Sequence, residues 1–490
     1  MEVYVKMIKI YEFRTHYEIH DYELGTFVKL ERDLSVWDKP TFTAKPLYYY
    51  DADNKIMYVP RGYNPNNLTN FFNTDIIKEN THKPKCNSEF NMVVSPRDEL
   101  QNENIRFLAG LSEYSGTKYD PQLVSSLPTG EGKTYCAIAA TQLLKMKALV
   151  IVPTELLRKQ WKKDILDYTD LEDNNIMSIV STHQIMGILN DDISTDNANF
   201  FVATHSIIQT FMRNIGNDAL NRLITKLGIG IKFIDEAHKV HNNTLKMDYF
   251  SNVFKTVYLS ATFFLSDENE NKAFQKAFDT VFKFRKLNDT RIAHVQYVVH
   301  MFKTKISPIE LASIKGTRGF DQKAYIDYEL KKEEILDIVE SYLRLFIDKK
   351  SINGCIFILS TKKSSCDRFA ELAKSLYPDL SICSYHSDTK KSIGDIYDYD
   401  IICATPKMLG TGNDFPDLRV VINTEPSKTN LQIKGRLRSP RGGEDTYYVE
   451  ILDKAIPTVM GLYRERKKQL GMVNDIKKIT VVDTTKKKGM

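Results

Sequence analysis

The pattern that most narrows the possible folds is an alternation of short apolar runs with helical stretches, played through twice along the chain. ALVIVP (148–153), FFVATH (200–205), GIKFIDEAH (230–238) and TVYLSAT (256–262) read as buried strands, with helical stretches such as 133–146 between them. Parallel crossovers return along the faces of a sheet, so strands of this kind are buried on both sides and read as nearly unbroken apolar runs. The series restarts with CIFILS (355–360), SICSYH (381–386), IICATP (401–406), VVINTEP (420–426) and YYVEILD (447–453), and SSCDRFAELAKSLY (364–377) is its clearest helix. Two similar α/β lobes with open parallel sheets are expected, over 96–285 and 286–490, with a crossing segment near 275–300.

A chain of 490 residues exceeds what one core supports, which agrees with this division. Residues 1–95 differ: they are rich in tyrosine and β-branched residues, with turn signals at Asp53-Asn54 and Pro60-Arg61-Gly62. They predict a small, separate, strand-rich domain. No apolar run reaches membrane-spanning length and the start of the chain lacks the layout of a signal peptide, so a cytoplasmic protein with no membrane partner is expected. The six cysteines show no CxxC spacing and several lie in strand-like runs, so buried free thiols are expected. The net charge of +5 permits a nucleic-acid partner without requiring one. Basic residues concentrate near the end, at Arg464, Arg466, Lys467, Lys468, Lys477, Lys478 and 486–488, and for 486–488 a solvated tail is expected.

Four short strings carry chemistry. Pro128-Thr129-Gly130-Glu131-Gly132-Lys133-Thr134 follows an apolar stretch and opens a helix, the setting of a phosphate-binding loop. Gly130 and Gly132 let backbone N–H groups turn toward phosphate oxygens, at the positive end of a helix dipole. Lys133 would reach the β- and γ-phosphates, and the Thr134 hydroxyl would bind Mg²⁺. Asp235-Glu236 ends a strand on the same expected sheet, read as the neighbouring strand. An aspartate there suits Mg²⁺, and the glutamate beside it suits a base for attacking water. Ser260-Ala261-Thr262 and Gln432…Gly435-Arg436 complete the set.

Together these strings resemble superfamily 2 helicases and translocases over about 96–455. VPTELLRKQW (152–161) is similar to motif Ia, ATHS (203–206) to Ib, DEAH (235–238) to II and SAT (260–262) to III. Thr405 with GTGNDFP (410–416) resembles motif V, and QIKGRLR (432–438) motif VI. The phosphate loop has Leu127 in place of the usual first glycine, Phe263 replaces the common proline after motif III, and Ser439 stands where a second arginine is usual, flanked by Arg438 and Arg441.

The resemblance implies two tandem RecA-like lobes that bind ATP and Mg²⁺. It implies that Gln101 reads adenine, that Gly412 and Asp414 approach the nucleotide or lobe interface, and that Gln432 and Arg436 face the triphosphate, with Arg436 as arginine finger and Arg438 nearby. It puts Thr154, Thr204 and Thr405 near a nucleic-acid backbone. VPTELLRKQW and GRLR look like DNA translocases of the UvsW type from tailed phages rather than the RNA-processing DEAH-box proteins. A monomeric DNA helicase acting on forked or branched DNA in replication, recombination or repair, alongside replication or recombination proteins, is thus expected, in a host cytoplasm if viral. An RNA helicase or transcript-release factor, and a motor subunit of a restriction or defence system, remain alternatives. Trp37, Lys45, Tyr58, Arg61 and Tyr63 read as an exposed basic and aromatic set for holding DNA, or else as parts of a small packing domain.

Overall fold

The computed structural model describes residues 8–38, 43–79, 88–111, 120–127, 130–237, 241–260, 268–285, 294–315, 320–350, 352–389, 392–393, 395–406, 415, 417–426, 437, 445–470 and 476–485. The chain divides into two compact units, Met1–Leu287 and Asn288–Met490.

In the first unit, a small sheet runs in the order Tyr49–Asp51, Ile56–Pro60, His16–His20, Lys9–Glu12, Ile76–Lys78. All its pairs are antiparallel except the last. Ser35–Asp38 and Thr43–Pro46 form a hairpin beside it. Alternation of apolar and polar residues along these strands buries Ile10, Tyr17, Ile19, Met57 and Val59 together with Tyr22, Leu30 and Leu68.

This sheet is not separate from the rest of its unit. Val36, Leu47 and Tyr58 join the core that contains Tyr249, Phe250, Phe274 and Phe278, and the Tyr249 hydroxyl donates to Leu47 O. Gly62 approaches the Glu268–Ala277 helix so closely that a Cβ there would lie 2.4 Å from Ala277 O, and Gly62 O accepts from Thr280 N at 2.9 Å. Two members of the supposed exposed aromatic set are therefore core: Tyr58 and Tyr63 are buried, and Tyr63 donates to Asp33. Trp37 (53% exposed) and Lys45 do face solvent.

The larger sheet of this unit has seven strands, all parallel. Their order is Ile176–Ile179, Phe200–Thr204, Lys147–Val152, Ile229–Ile234, Lys255–Leu259, Gln122–Ser126, Phe282–Arg285. Apolar clusters cover both faces, which explains the unbroken runs seen in sequence.

The second unit repeats the design. Its seven parallel strands are ordered Ile382–Tyr385, Ile401–Ala404, Cys355–Leu359, Leu418–Asn423, Thr446–Asp453, Val295–Phe302, Ile476–Asp483. These are two RecA-like lobes behind a strand-rich amino-terminal sheet.

One expectation needs correction. The stretch 275–300 is not merely a crossing segment, since it supplies Phe282–Arg285 to the first sheet and Val295–Phe302 to the second. Lys477 and Lys478 lie on the edge strand Ile476–Asp483, where Lys477 pairs with Asp445 at 2.7 Å; 486–488 lie outside the described residues. The described cysteines are free thiols, four of them buried and Cys355 half-buried. Cys86 is outside the described residues. Among the described residues no helix is long and apolar enough to cross a membrane.

Candidate nucleotide-binding site

The phosphate loop leaves the carboxyl end of Gln122–Ser126 and enters the Lys133–Leu144 helix. Gly130 and Gly132 take φ of +88° and +80°, the left-handed region that side chains with a Cβ rarely adopt. At Gly132 a Cβ would also meet the Gln101 amide, 2.3 Å from Nε2, so this position requires glycine twice over. Lys133 Nζ folds back to donate to Leu127 O at 3.1 Å, and Thr134 follows in the first turn of the helix. Pro128 and Thr129 lie outside the described residues.

Gln101 is buried beneath this loop. Asp98 caps its helix, accepting from Gln101 N at 2.9 Å; the Gln101 amide nitrogen donates to Glu131 O at 3.1 Å, and its Oε1 accepts from Arg97 N at 2.8 Å. The Arg97 guanidinium spans the same turn, donating to Gly130 O at 3.1 Å and Glu131 Oε2 at 2.5 Å. Gln101, expected to read a base, thus also braces the loop. Arg97 was missed in the sequence; its only signal there is its place four residues before Gln101.

Asp235 extends the Ile229–Ile234 strand by one residue, its N–H donating to Ile151 O at 2.9 Å. Its carboxylate accepts from Glu236 N on Oδ1 and from Trp161 Nε1 on Oδ2, both at 2.9 Å. Burial, then the neighbouring Glu236 charge, pushes its pKa up to about 6, while the Trp161 bond and the Lys133 charge act in the opposite direction. Glu236 has φ +50°, an uncommon setting for a residue with a Cβ.

The Asp235 strand does not neighbour the phosphate-loop strand, as the sequence suggested. Lys255–Leu259 lies between them, and Ser260 at its end donates from its N–H to Ser125 O at 3.1 Å. One strand thus separates the Asp235 strand from the phosphate-loop strand, and the SAT string begins at its end. Ala261, Thr262 and His238 are outside the described residues.

The residues fit a Mg²⁺–triphosphate in kind. An acceptor-only carboxylate, a hydroxyl and a helix N-terminus gather at one end of the sheet. Among the described residues no group of three or more His, Cys, Asp or Glu could hold a metal. A hard cation there would need phosphate oxygens or water to complete its shell, as is usual for Mg²⁺.

Thr204 ends its strand and Thr154 lies two residues past the end of the adjacent parallel strand; both cap the following helices, accepting from Ile207 N at 3.4 Å and Leu157 N at 3.3 Å. Thr405 follows Ile401–Ala404 in the second unit and is half-buried. Arg61 lies elsewhere. It donates to Tyr17 Oη at 2.6 Å and Glu12 Oε1 at 2.7 Å, and it lines a cavity of about 190 Å³ with Asp120 and Gln122, at the amino end of the strand that carries the phosphate loop. Gly412, Asp414, Gln432, Arg436 and Arg438 fall outside the described residues.

Residues 76–265 match the family described as "Type III restriction enzyme, res subunit", a match that takes in the phosphate loop and Asp235-Glu236 but less than half of the chain. No curated protein matches the chain. Among solved structures it is similar to Mss116p bound to ssRNA and AMP-PNP, with a TM-score of 0.52, 17% identity, and coverage of 79% of this chain and 74% of that one. It is similar to an S. cerevisiae Dbp5 variant bound to RNA and ADP BeF3, with a TM-score of 0.51, 16% identity, and coverage of 79% and 90%. T4 UvsW aligns over 97% of this chain and 99% of its own at 15% identity, with a TM-score of 0.37. Identities this low speak for the fold alone. In its ordered motifs and its pair of parallel-sheet lobes, the chain resembles the superfamily 2 helicases.

Proposed function

We infer that the protein is an ATP-dependent DNA helicase or translocase acting on forked or branched DNA in replication, recombination or repair. The observation that supports this most is the gathering of the phosphate loop, Ser260 and Asp235-Glu236 at the carboxyl ends of three consecutive strands of one parallel sheet. Ligands of open α/β sheets bind at that end.

In this reading residues 128–134 wrap the phosphates and Lys133 neutralises the β/γ oxygens. Thr134 and Asp235 hold Mg²⁺, directly or through water, and the ion when bound offsets charge on the transferring phosphoryl group. Glu236 takes the proton of the attacking water. Gln432 and Arg436 act from the second lobe, with Gly412, Asp414 and Arg438 about the nucleotide. An arginine delivered in this way supplies roughly 10³–10⁵ in rate and makes hydrolysis depend on lobe closure. Thr154, Thr204 and Thr405 line the DNA backbone, while residues 1–95, with Arg61, form an accessory DNA-binding module ahead of lobes at 96–285 and 286–490.

ATP turnover measured in parallel with single-stranded DNA, forked DNA and RNA tests the reading. Forked DNA should stimulate most. Greater stimulation by RNA would transfer the protein to the RNA helicases. The family match over 76–265 favours one second reading, a motor subunit of a restriction system. It predicts stimulation that rises with duplex length and is indifferent to a fork.

A further inference from the structure

Trp161 is the largest of the fully buried side chains, 1% exposed on the Glu155–Tyr168 helix. A buried indole usually finds a hydrogen-bond partner for its N–H. Here the partner is neither a backbone carbonyl nor a neutral side chain but Asp235 Oδ2, on a strand far away in sequence. With the Glu236 N–H on Oδ1, each carboxylate oxygen carries one donor from a rigid element. The plane of the carboxylate is fixed, and each oxygen retains acceptor capacity. Indole is a donor only, so it orients the carboxylate without competing for a cation. A hydroxyl or amide in its place would offer an oxygen of its own.

The same helix begins at the Thr154 cap. Trp161 stands two turns along from it, so one rigid element joins a position expected beside the nucleic-acid backbone to the carboxylate expected to hold the cation.

We propose that Trp161 is a positioning residue for the divalent cation: through its indole N–H it holds Asp235 in the orientation that takes the ion, and it links that orientation to the helix that starts at Thr154. The proposal rests on the reading of this site as a Mg²⁺–triphosphate cradle. Outer partners of metal ligands of this kind are typically worth 10–100-fold in metal affinity or activity.

The test uses the full chain. Trp161→Phe keeps an aromatic ring and loses the N–H. It should raise the Mg²⁺ concentration for half-maximal ATP turnover by about tenfold, while KM for ATP at saturating Mg²⁺ stays within about twofold. Benzothienylalanine at 161, a tryptophan isostere with sulfur in place of the N–H, should reproduce the shift even if the smaller ring loosens the core. The chain has two tryptophans, so in a Trp37→Phe background the emission is that of Trp161 alone. Paramagnetic Mn²⁺ added with ADP should quench it, and Mg²⁺ with ADP should not. An unshifted metal midpoint with the isostere, or emission indifferent to Mn²⁺ and ADP, overturns the proposal. Absence of ATP turnover in the unaltered chain would instead overturn the reading of the site as a hydrolase, and the Mn²⁺ titration would still decide the role of Trp161.

Discussion

If Lys133 holds the phosphates and Glu236 acts as base, as proposed, their replacements should fail differently. Lys133→Ala should abolish ATP turnover with the fold intact, checked by phosphate release and circular dichroism. Glu236→Gln should still bind nucleotide but hydrolyse it roughly 10²–10⁴-fold more slowly, the usual worth of a general base. Near-normal stimulated turnover by Lys133→Ala would sink the assignment. A third residue reports on stability. His205 is buried with neither ring nitrogen hydrogen-bonded among the described residues, and burial pushes it down to about 4 from the ordinary 6.5. Between those values the unfolded chain binds the extra proton, so stability is full above pH 6.5 and falls as pH drops toward 4, by up to about 3 kcal/mol. Urea midpoints at pH 7.5 and 5 should differ more for the unaltered chain than for His205→Leu. The placement of Lys133, Asp235 and Glu236 at one end of the sheet was legible in the sequence because their short strings follow apolar strands. Trp161 was not, since its helical position says only that it is buried, and its partner lies 74 residues away.

Within elements, the same limit separates what apolar pattern reveals from what packing decides. Strands such as ALVIV and CIFIL are central in their sheets and announce themselves. The edge strands Phe282–Arg285 (FKFR) and Ile476–Asp483 (IKKITVVD) carry lysines that one-sided exposure tolerates, and so do not stand out as strands. Val295–Phe302 is an interior strand whose run is broken by Gln296 and His300; the Gln296 amide donates to Asp445 at 2.8 Å, and His300 Nδ1 meets the Tyr342 hydroxyl at 3.0 Å. Lys232 is the reverse case, a charge in a strand buried on both faces. Its ammonium donates to Asp248 Oδ1 at 2.6 Å and Ser251 Oγ at 2.5 Å, and Asp248 Oδ2 accepts from Tyr258 at 2.6 Å. This pins the His241–Tyr249 helix to the strand that ends at Asp235. Asp248→Ala should cost about 3–5 kcal/mol by leaving the ammonium buried and unpaired, and Lys232→Met with Asp248→Leu should recover most of that loss. Chemical denaturation of the three proteins measures it; equal stability of the single and double variants would contradict it.

At the scale of the molecule, the sequence suggested that residues 1–95 form a domain separate from the lobes. The packing of Leu47 and Tyr58 against Tyr249 and Phe250, and of Gly62 against Ala277, argues otherwise. A chain beginning near Val94 should expose this apolar face, melt at lower temperature and aggregate. Differential scanning calorimetry decides it, and an unchanged melting temperature would restore the picture of a detachable module. That the two pieces share a core was invisible in sequence because their apolar positions are each accounted for by their own strands and helices.

The two larger sheets share more than strand number. Counting strands in chain order within each, both run 3-4-2-5-6-1-7, so every point in one has a counterpart in the other. The end of Val295–Phe302 corresponds to the end of Gln122–Ser126. Where the first sheet opens into glycines and a helix N-terminus, the second has Thr304, whose N–H and hydroxyl are both given to the buried carboxylate of Asp453. The donors at that strand end are already taken by a side chain of the lobe itself. The repeat is therefore one of frame and not of seat, and a calorimetric titration with a non-hydrolysable ATP analogue should saturate at a single equivalent per chain.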